Sequence, residues 1–498
     1  MAHSYMDCDR DQLFLLPPSM WDWLPEGHLG LFVIDAVGVI DTSAFHARHP
    51  NDGAGRPAYH PDMMLALLLY AYCQGMRSSR RIARSCSSDI AFRVICAGNL
   101  PDHTTICRFR AENEEAIVAL FVEVLKLCRA AGLASLGTIA IDGTKIGSDA
   151  ALDQNRSGDA IRAEIAKILG EAANADAAED AAPGLFDDMV LAGPLEKRNS
   201  RLAHLKAALK EVEAQEEAAS AKTREATANA EAEAAEGRRL RGRKPSDPHA
   251  AAERARTDLV ATKAKAEKHP ERADLADKVV EAEARLAEAT AAAQATPPVA
   301  VQVNVTDPES RIMKTQQGWI QGFNVQASVN ADQVVMAVSA TQDHNDQNQL
   351  VAMTEATERC ARAAGIDGPV GLVLADAGYW SEENALAKGP DRLIATTKDW
   401  KQRKAAREMG TTTGPPPEGA STLEKMEHRL RTEEGAAAYA TRSHTVEPVF
   451  GDAKENHGFR RFMRRGLAAA NSEAHLIFAV HNLKKVFTHD PSVVLGTA

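Results

Sequence analysis

The sequence lacks the features that would place the chain in a membrane or in a disulfide-bonded scaffold. Its seven cysteines are well separated and include no Cys-x-x-Cys pair, which indicates neither a disulfide framework nor a zinc site. The longest apolar run, from Met63 to Cys73, is too short to cross a bilayer, and the amino terminus lacks a positively charged segment followed by an apolar one. We therefore expect a soluble protein of the reducing cytoplasm.

The chain also lacks an excess of positive charge. It has 58 Lys and Arg against 69 Asp and Glu, a net charge of −11, which taken alone argues against a nucleic-acid partner. Basic residues are nevertheless concentrated in three clusters, and any one cluster is explained most simply as a solvated surface. The clusters are Arg77, Arg80, Arg81, Arg84 and Arg93; Arg238, Arg239, Arg241, Arg243 and Lys244; and Arg460, Arg461, Arg464 and Arg465.

Three short stretches each place one carboxylate at the end of an apolar run. Residues 138–143 and 372–378 are typical of buried strands, and we expect Asp142 and Asp376 at the carboxyl ends of those strands. Residues 445–451 instead indicate the start of a helix that carries Glu447, with Thr445 as its predicted N-cap. Three acids from separate elements could converge on a divalent metal ion.

Crowded carboxylates repel one another unless a cation neutralises them. Because no His or Cys set lies at ligand spacing, oxygen ligands favour Mg²⁺ or Mn²⁺ over zinc. Two such ions about 4 Å apart can activate an attacking oxygen and stabilise the leaving oxygen at phosphorus. The pattern therefore predicts a metal-dependent nuclease centre, and beside it the three basic clusters together favour DNA as the partner.

Two basic residues accompany the third acid. Glu447 and Lys454 are seven residues apart, about two helical turns, so they share a helix face. Lys454 could hold a phosphate near the metals, and Arg442, just before the helix, could do the same. A solvated pair of surface residues fits the spacing equally well.

The chain is long enough for two or three domains. Residues 1–134 have apolar residues at helix spacing and predict a helical N-terminal DNA-binding domain. In it, Asp102 is placed to cap a helix that presents Thr105, Arg108 and Arg110, as a helix-turn-helix would. A helical packing domain without contact to DNA is an equally good interpretation.

Residues 160–296 are rich in Ala, Glu, Lys and Arg and predict a coiled-coil-like helical insertion with the second basic cluster at its tip. The insertion divides a catalytic domain into residues 135–159 and 297–498. In that domain, 301–305, 322–329 and 333–340 are expected to form an antiparallel meander with the strand that precedes Asp142, and Asn330-Ala331-Asp332 is the predicted hairpin turn between the last two.

Several motifs resemble the bacterial insertion-sequence DDE transposases. The likeness is to insertion-sequence group eleven-eighty-two, in the superfamily marked by a tyrosine, arginine, glutamate, lysine signature. The motifs that carry it are Tyr59-His60-Pro61, Ile141-Asp142-Gly143-Thr144-Lys145, Thr306-Asp307-Pro308-Glu309-Ser310-Arg311, Phe323-Asn324-Val325-Gln326, Ala375-Asp376-Ala377-Gly378-Tyr379, Tyr439 to Arg442, Val446 to Gly451, Lys454, and Phe459 to Gly466. Four residues separate Arg442 from Glu447, where the signature usually has three.

The resemblance implies an α/β, RNase H-like mixed-sheet catalytic domain that uses two Mg²⁺ or Mn²⁺ ions. It also implies cut-and-paste movement of a DNA element, with binding of the terminal inverted repeats and of target DNA. Asp142, Asp376 and Glu447 become the metal-binding triad. Candidate DNA contacts are Tyr439, Arg442 and Lys454, with Arg460, Arg461, Arg464, Arg465, Arg108 and Arg110 from the basic segments. We expect a nucleoid-associated homodimer, since two ends must be paired.

Other interpretations remain open. The chain could be a catalytically inactive or domesticated DNA-binding protein, although all three acids are intact, or an RNase H-like nuclease without transposition. Tyr379 and Trp380 could stack on a base, but core packing is the commoner fate. The polar turn containing Asp343, His344 and Asp346 is interpreted as loop capping, and we assign it no catalysis.

Overall fold

The computed structural model describes residues 19–47, 58–181, 192–235, 248–269, 272–295, 301–397 and 410–494. The chain divides into two compact units, one formed by Met1–Ala151 with Ser310–Ala498 and the other by Leu152–Glu309. The basic cluster at residues 238–244 lies outside the described residues. In the part of the chain that is described, no helix combines the length and apolar character that a membrane span needs.

Among the described residues, seven α-helices precede the sheet of the first unit. They are α1 (Leu29–Val39), α2 (Ser43–His46), α3 (Pro61–Cys73), α4 (Ser79–Ser88), α5 (Ile90–Ile95), α6 (His103–Glu112) and α7 (Glu114–Ala130). The predicted cap of α6 is confirmed, because Asp102 Oδ1 accepts the backbone N–H groups of Thr104 and Thr105 at 2.7 and 2.9 Å. Helix α3 is buried along almost its whole length, so this region has a large apolar core.

A mixed six-stranded sheet forms the centre of the first unit. Its strands are β1 (Thr138–Gly147), β4 (Arg311–Thr315), β5 (Gly318–Asn330), β6 (Val335–Thr341), β7 (Leu372–Ala375) and β8 (Asp391–Ile394). The order is β4-β5-β1-β7-β8, with β6 also paired to β5. Strand β1 is antiparallel to β5 and parallel to β7, which is parallel to β8. The predicted β5–β6 hairpin is confirmed, with Asn330 Oδ1 accepting Val334 N–H at 2.9 Å.

Two strand predictions are wrong in detail. The strand that was expected to end at Asp142 continues to Gly147, because β5 pairs with it from Ile139 to Gly147. The segment expected near residues 301–305 forms β3 (Gln302–Asn304), which pairs with β2 (Asn155–Ser157) in the second unit instead of joining the meander. Pairing partners far apart in the chain decide both outcomes, and local alternation cannot show them.

Helices pack against the sheet and complete the first unit. They are α12 (Gln349–Ala363), α13 (Glu382–Leu386), α14 (Thr422–Arg431), α15 (Glu433–Thr445), α16 (Glu447–Glu455) and α17 (Leu467–His489). Helix α17 is the most buried of these in the first unit as described, and Asn482 bonds both the N–H and the carbonyl of Val335 at 2.8 Å. One apolar cluster runs from Phe32 in α1 to Val494, so the N-terminal helices share a core with the sheet.

The second unit contains the predicted helical insertion. Its helices are α8 (Gly158–Ala181), α9 (Ala192–Ala235), α10 (Pro248–Lys268) and α11 (Ala273–Ala295). A small core joins Ile161 of α8, Leu205 and Val212 of α9, and Val303 of β3. Leu205 and Val212 are seven residues apart on α9, which is the repeat expected of the predicted coiled-coil-like insertion.

Candidate active site

Asp142 and Asp376 lie side by side on neighbouring strands. In the parallel pairing of β1 with β7, Ile141 is opposite Ala375, and each aspartate is the next residue. Burial raises the pKa of Asp142 to about 6, with the charges of Asp376 and Asp346 adding to this effect and Arg442 opposing it. The sheet therefore brings together two acids that are 234 residues apart in the chain (376 − 142).

Arg442 of α15 neutralises the first acid. Its Nη2 lies 2.7 Å from Asp142 Oδ2, and its side chain is only 11% exposed. Burial by itself would lower the pKa of Arg442, but the charges of Asp142, Tyr439, Asp376 and Glu447 outweigh it and raise that pKa. Nε of Arg442 is buried without a hydrogen-bond partner. Arg442 thus connects the acids of the sheet to the acid of the following helix.

Glu447 is the first residue of α16, and its side chain is exposed. The predicted cap at Thr445 is wrong, because α15 continues through Thr445 and its hydroxyl donates to Thr441 O at 2.9 Å. Val446 separates the two helices and provides no side-chain cap. Arg442, in the last turn of the helix before this break, contacts Asp142.

Lys454, two turns along α16, is partly buried. Burial and Arg460 lower the pKa of Lys454, while the charges of Asp142 and Glu455 act in the opposite direction. Lys454 is therefore within electrostatic range of Asp142. Helix α16 is held in place by Asp452, whose Oδ2 lies 2.9 Å from His481 Nδ1.

Asp346 is an acid of this region to which the sequence analysis assigned only loop capping. Its Oδ1 accepts hydrogen bonds from Asn324 Nδ2 and Gln326 Nε2, both at 2.8 Å, and from Lys145 Nζ at 3.3 Å. The signal in the sequence was a polar turn directly after β6, whose neighbouring strand β5 pairs with β1. Without the pairing of these strands, that turn could not be placed near Asp142.

Tyr379 is fully buried, and its hydroxyl donates to Gln326 Oε1. Burial and then the charges of Asp142, Asp346 and Asp376 raise the pKa of Tyr379 well above its ordinary value, so the phenol remains a donor. Trp380 is partly buried against the core. Tyr379 thus packs in the interior, which is the second of the two fates considered for it.

The basic segment after α16 is joined to the far end of β1. Gly147 N–H donates to Arg460 O at 3.1 Å, and Phe462 N–H donates to Gly147 O at 2.7 Å. Each of the four arginines has an acidic partner: Arg460 pairs with Glu455, Arg461 and Arg465 with Asp149, and Arg464 with Glu114. The side chain of Arg464 is only 16% exposed, whereas about half or more of each of the other three faces solvent.

Two arginines from the N-terminal basic segments are structural. Arg110 is buried and donates to Tyr72 Oη at 3.0 Å, to Arg77 O at 2.9 Å and to Ser79 Oγ. Its predicted contact with DNA is corrected to this role, because the turn of α6 places it on the same buried face as Ile106. Arg77 is also buried, paired with Glu473 at 2.6 Å.

Other basic residues of the helical region remain exposed. They include the predicted Arg108 of α6 and three arginines of α4. A shallow groove between α4 and the start of α6 is lined by Arg80, Ala83, Arg84, Ser87, Asp102 and His103. Tyr439 of α15 is partly buried against the core.

The side chains of His46, His60 and Asp62 bring three potential metal-ligand atoms within 4.8 Å of one another. Among the described residues, no other group of His, Cys, Asp and Glu side chains does so. His46 Nε2 lies 2.8 Å from Asp62 Oδ1. Sequence spacing does not indicate this set, because His46 and Asp62 are 16 residues apart. Asp142, Asp376 and Glu447 all act on the charge of Arg442, but their carboxylate oxygens do not all lie within 4.8 Å of one another.

Two protein families each match a part of the chain. Residues 20–112 match the family described as Transposase domain (DUF772), and residues 396–487 match the family described as Transposase DDE domain. The first match covers α1 to α6, and the second includes Arg442, Glu447 and Lys454. No curated protein and no solved structure matches the chain.

Proposed function

Because the chain carries both of these domains and belongs to the insertion-sequence DDE transposases, we propose that it binds the terminal inverted repeats of its element, cuts them and joins the freed 3′ ends to target DNA. The observation that carries this proposal is the arrangement around Arg442. That guanidinium contacts Asp142, and the charges of Asp142, Asp376 and Glu447 all raise its pKa. These three acids come from three separate elements of the chain.

The sheet supports an RNase H-like catalytic domain. Two acids follow paired residues of adjacent central strands, and the third begins α16, the helix directly after α15, whose Arg442 contacts Asp142. The order β6-β5-β1-β7-β8 combines an antiparallel half with a parallel half. This is the mixed sheet that the family resemblance implies for the chain.

The acids fit a hard divalent cation by their chemistry. All three donors are carboxylates, and Asp142 is crowded by the negative charges of Asp376 and Asp346, which a cation would relieve. Asp142, Asp376 and Glu447 would hold Mg²⁺ or Mn²⁺. When bound, a pair of such ions supplies charge stabilisation and an activated oxygen for phosphodiester chemistry.

The chain's own basic residues bind and orient the DNA end. Arg442 has a planar guanidinium suited to a phosphate, and Lys454 provides a point charge on the adjacent helix. Tyr439, one helical turn before Arg442, lies on the same side of α15. We assign further phosphate contacts to Arg460, Arg461 and Arg465, which are well exposed, and to Arg464 at the edge of that segment.

The N-terminal helices provide a second basic surface. Arg80, Arg81 and Arg84 of α4 and Arg108 of α6 are exposed and suit the backbone of duplex DNA. Two element ends must be held together for strand transfer, so we assign the active form to a homodimer. Phosphate contacts of this kind predict binding that weakens steeply with salt.

The test is a cleavage and joining assay with purified protein, Mg²⁺, and DNA that carries the element's own ends. Asp142→Asn, Asp376→Asn and Glu447→Gln should each abolish cleavage while end binding in a gel-shift assay stays within about twofold, because each removes one ionic ligand. Glu383→Gln, an exposed glutamate on α13 with the same charge change, is the matched control.

The outcomes separate this function from the alternatives. Cleavage without joined products would favour an RNase H-like nuclease that does not transpose. End binding without any cleavage by the wild type would indicate an inactive DNA-binding derivative. Full cleavage by one of the three acid variants would remove that residue from the site.

A further inference from the structure

Strand β5 carries a row of polar residues that are completely buried. Asn324, Gln326, Ser328 and Asn330 occupy every second position, and each has a relative exposure of 0%. A strand buried on both faces is normally apolar throughout, because a buried polar group without a partner is costly. The polar row therefore requires specific partners, and those partners show what it does.

Two members of the row have local structural roles. The Ser328 hydroxyl is bonded to Thr357 Oγ1 of α12 at 2.6 Å, which joins that helix to the sheet. Asn330 closes the β5–β6 turn and donates to Leu133 O at 2.7 Å. Neither residue contacts an acid of the proposed site.

The other two members converge on Asp346. Asn324 and Gln326 each donate to Oδ1 of Asp346 at 2.8 Å, and Lys145 of β1 lies 3.3 Å from the same oxygen. Gly143 makes this possible, since a Cβ there would lie 2.1 Å from Gln326 Nε2 and 2.8 Å from Asp346 Oδ1. The residue directly after Asp142 must therefore be glycine for the Gln326 amide to lie against β1 and reach Asp346.

Gln326 also connects Asp346 to the turn that carries Asp376, through a hydrogen bond with Tyr379. Its Oε1 accepts the Tyr379 hydroxyl, and Tyr379 N–H in turn donates to Asp376 O at 3.1 Å. Within the same turn, Gly378 N–H donates to Asp376 Oδ1 at 2.7 Å. A buried tyrosine therefore ties the turn after β7 to β5, the strand that pairs with β1 at Asp142.

We propose that Asp346, Gln326 and Tyr379 form a positioning network that sets the separation of Asp142 and Asp376. Asp346 acts by collecting three donors on one oxygen, Gln326 by linking that oxygen to the phenol, and Tyr379 by holding the Asp376 turn. None of the three is a catalytic residue, because each acts through its neighbours. The inference rests on the proposed function, in which those two acids hold the metal ions.

The substitutions at Asp346 distinguish position from charge. Asp346→Asn keeps one oxygen as an acceptor for the three donors, while it removes the negative charge and replaces the second oxygen with an NH₂ donor; Asp346→Ala removes the acceptor and the charge together. Tyr379→Phe removes one hydroxyl and leaves the ring in place. Ser328→Ala is the matched control, since it removes one equally buried hydrogen bond from the same strand at a site without contact to the acids.

The measurement is calorimetric titration of the full chain with Mn²⁺ alone, with thermal unfolding of each variant recorded in parallel. Loss of groups that orient metal ligands typically weakens metal binding by about tenfold or more. We expect that loss for Asp346→Ala and Tyr379→Phe, and a dissociation constant within about threefold of wild type for Asp346→Asn and Ser328→Ala. Ser328→Ala and Tyr379→Phe should lower the unfolding temperature by similar amounts.

Several results would overturn the inference. Unchanged Mn²⁺ affinity in Tyr379→Phe shows that the network does not set the acids, even if Asp346→Ala fails to fold. Equal losses in Asp346→Asn and Asp346→Ala show that Asp346 acts through its charge. A wild-type chain that neither binds Mn²⁺ nor cuts element ends overturns the proposed function itself, which is a distinguishable failure.

Discussion

Removing one partner of the buried ion pair between Arg77 and Glu473 should destabilise the first unit strongly, because the other charge is then left buried and unpaired. The side chains are 7% and 2% exposed, and Nη2 of Arg77 lies 2.6 Å from Glu473 Oε1. Arg77 also donates to the carbonyls of Gly458 and Arg461, each at 2.5 Å, while Glu473 Oε2 accepts Met463 N–H at 2.9 Å. The pair therefore fastens the segment that carries the C-terminal arginines.

Substituting Arg77→Met should lower the free energy of unfolding by about 3–5 kcal/mol, because it leaves a buried carboxylate without its cation. The double variant Arg77→Met, Glu473→Gln should recover part of that loss, with a coupling energy of roughly 0.5–3 kcal/mol. Arg359→Met is the control. It breaks a pair with Glu355 whose side chains are 66% and 63% exposed, and should cost about 0–1 kcal/mol.

The assay is urea unfolding followed by tryptophan fluorescence. All five tryptophans belong to the first unit, so the signal does not report the helical insertion. A loss for Arg77→Met no larger than that for Arg359→Met would refute the buried network. A double variant as unstable as the sum of the single variants would show that the two residues act independently.

Three further predictions test other parts of the structure. Gly143→Ala should destabilise the chain by about 1–3 kcal/mol, because the new Cβ would collide with Gln326. Gly451→Ala, in an open position on α16, should instead stabilise the chain by about 0.5–1 kcal/mol. Equal urea midpoints for the two variants would contradict this prediction. Burial lowers the pKa of His475 to about 4, so the contribution of His475 to stability should be constant above about pH 6.5 and fall by on the order of 3 kcal/mol as pH drops toward 4, since only the unfolded chain takes up the proton there. His475→Gln should flatten that part of the urea-midpoint profile, and an unchanged slope would count against it. Arg108→Gln should reduce the slope of log affinity for DNA against log salt concentration by about one, measured by filter binding. An unchanged slope would show that Arg108 does not contact a phosphate.

Local signals in the sequence predicted local structure well. The cap at Asp102 and the turn at Asn330 are correct, because a side chain two to four residues away satisfies the backbone groups in each case. The cap at Thr445 is wrong for the opposite reason. Two helices follow each other with one residue between them, and the first helix uses the position that a cap would need.

Burial of charged residues was beyond the reach of the sequence. Arg110 and Arg108 stand two positions apart in one basic stretch, yet one is inside and the other outside. The difference arises from what packs on each face of α6, and the partners of Arg110 lie 31 to 38 residues away. Charge clustering along a chain therefore does not by itself identify a binding surface.

The sequence by itself determined the chemistry available to this protein. Asp142, Asp376 and Glu447, the basic residues Arg442 and Lys454, and the composition of the insertion could all be identified from residue type and spacing. Only the tertiary structure decided which groups meet. Hydrogen-bonded register between strands far apart in the chain places Asp142 beside Asp376, and it brings Asp346, bonded to Gln326 of β5, close enough for its charge to act on Asp142. Such pairings depend on long-range packing, which no local pattern encodes.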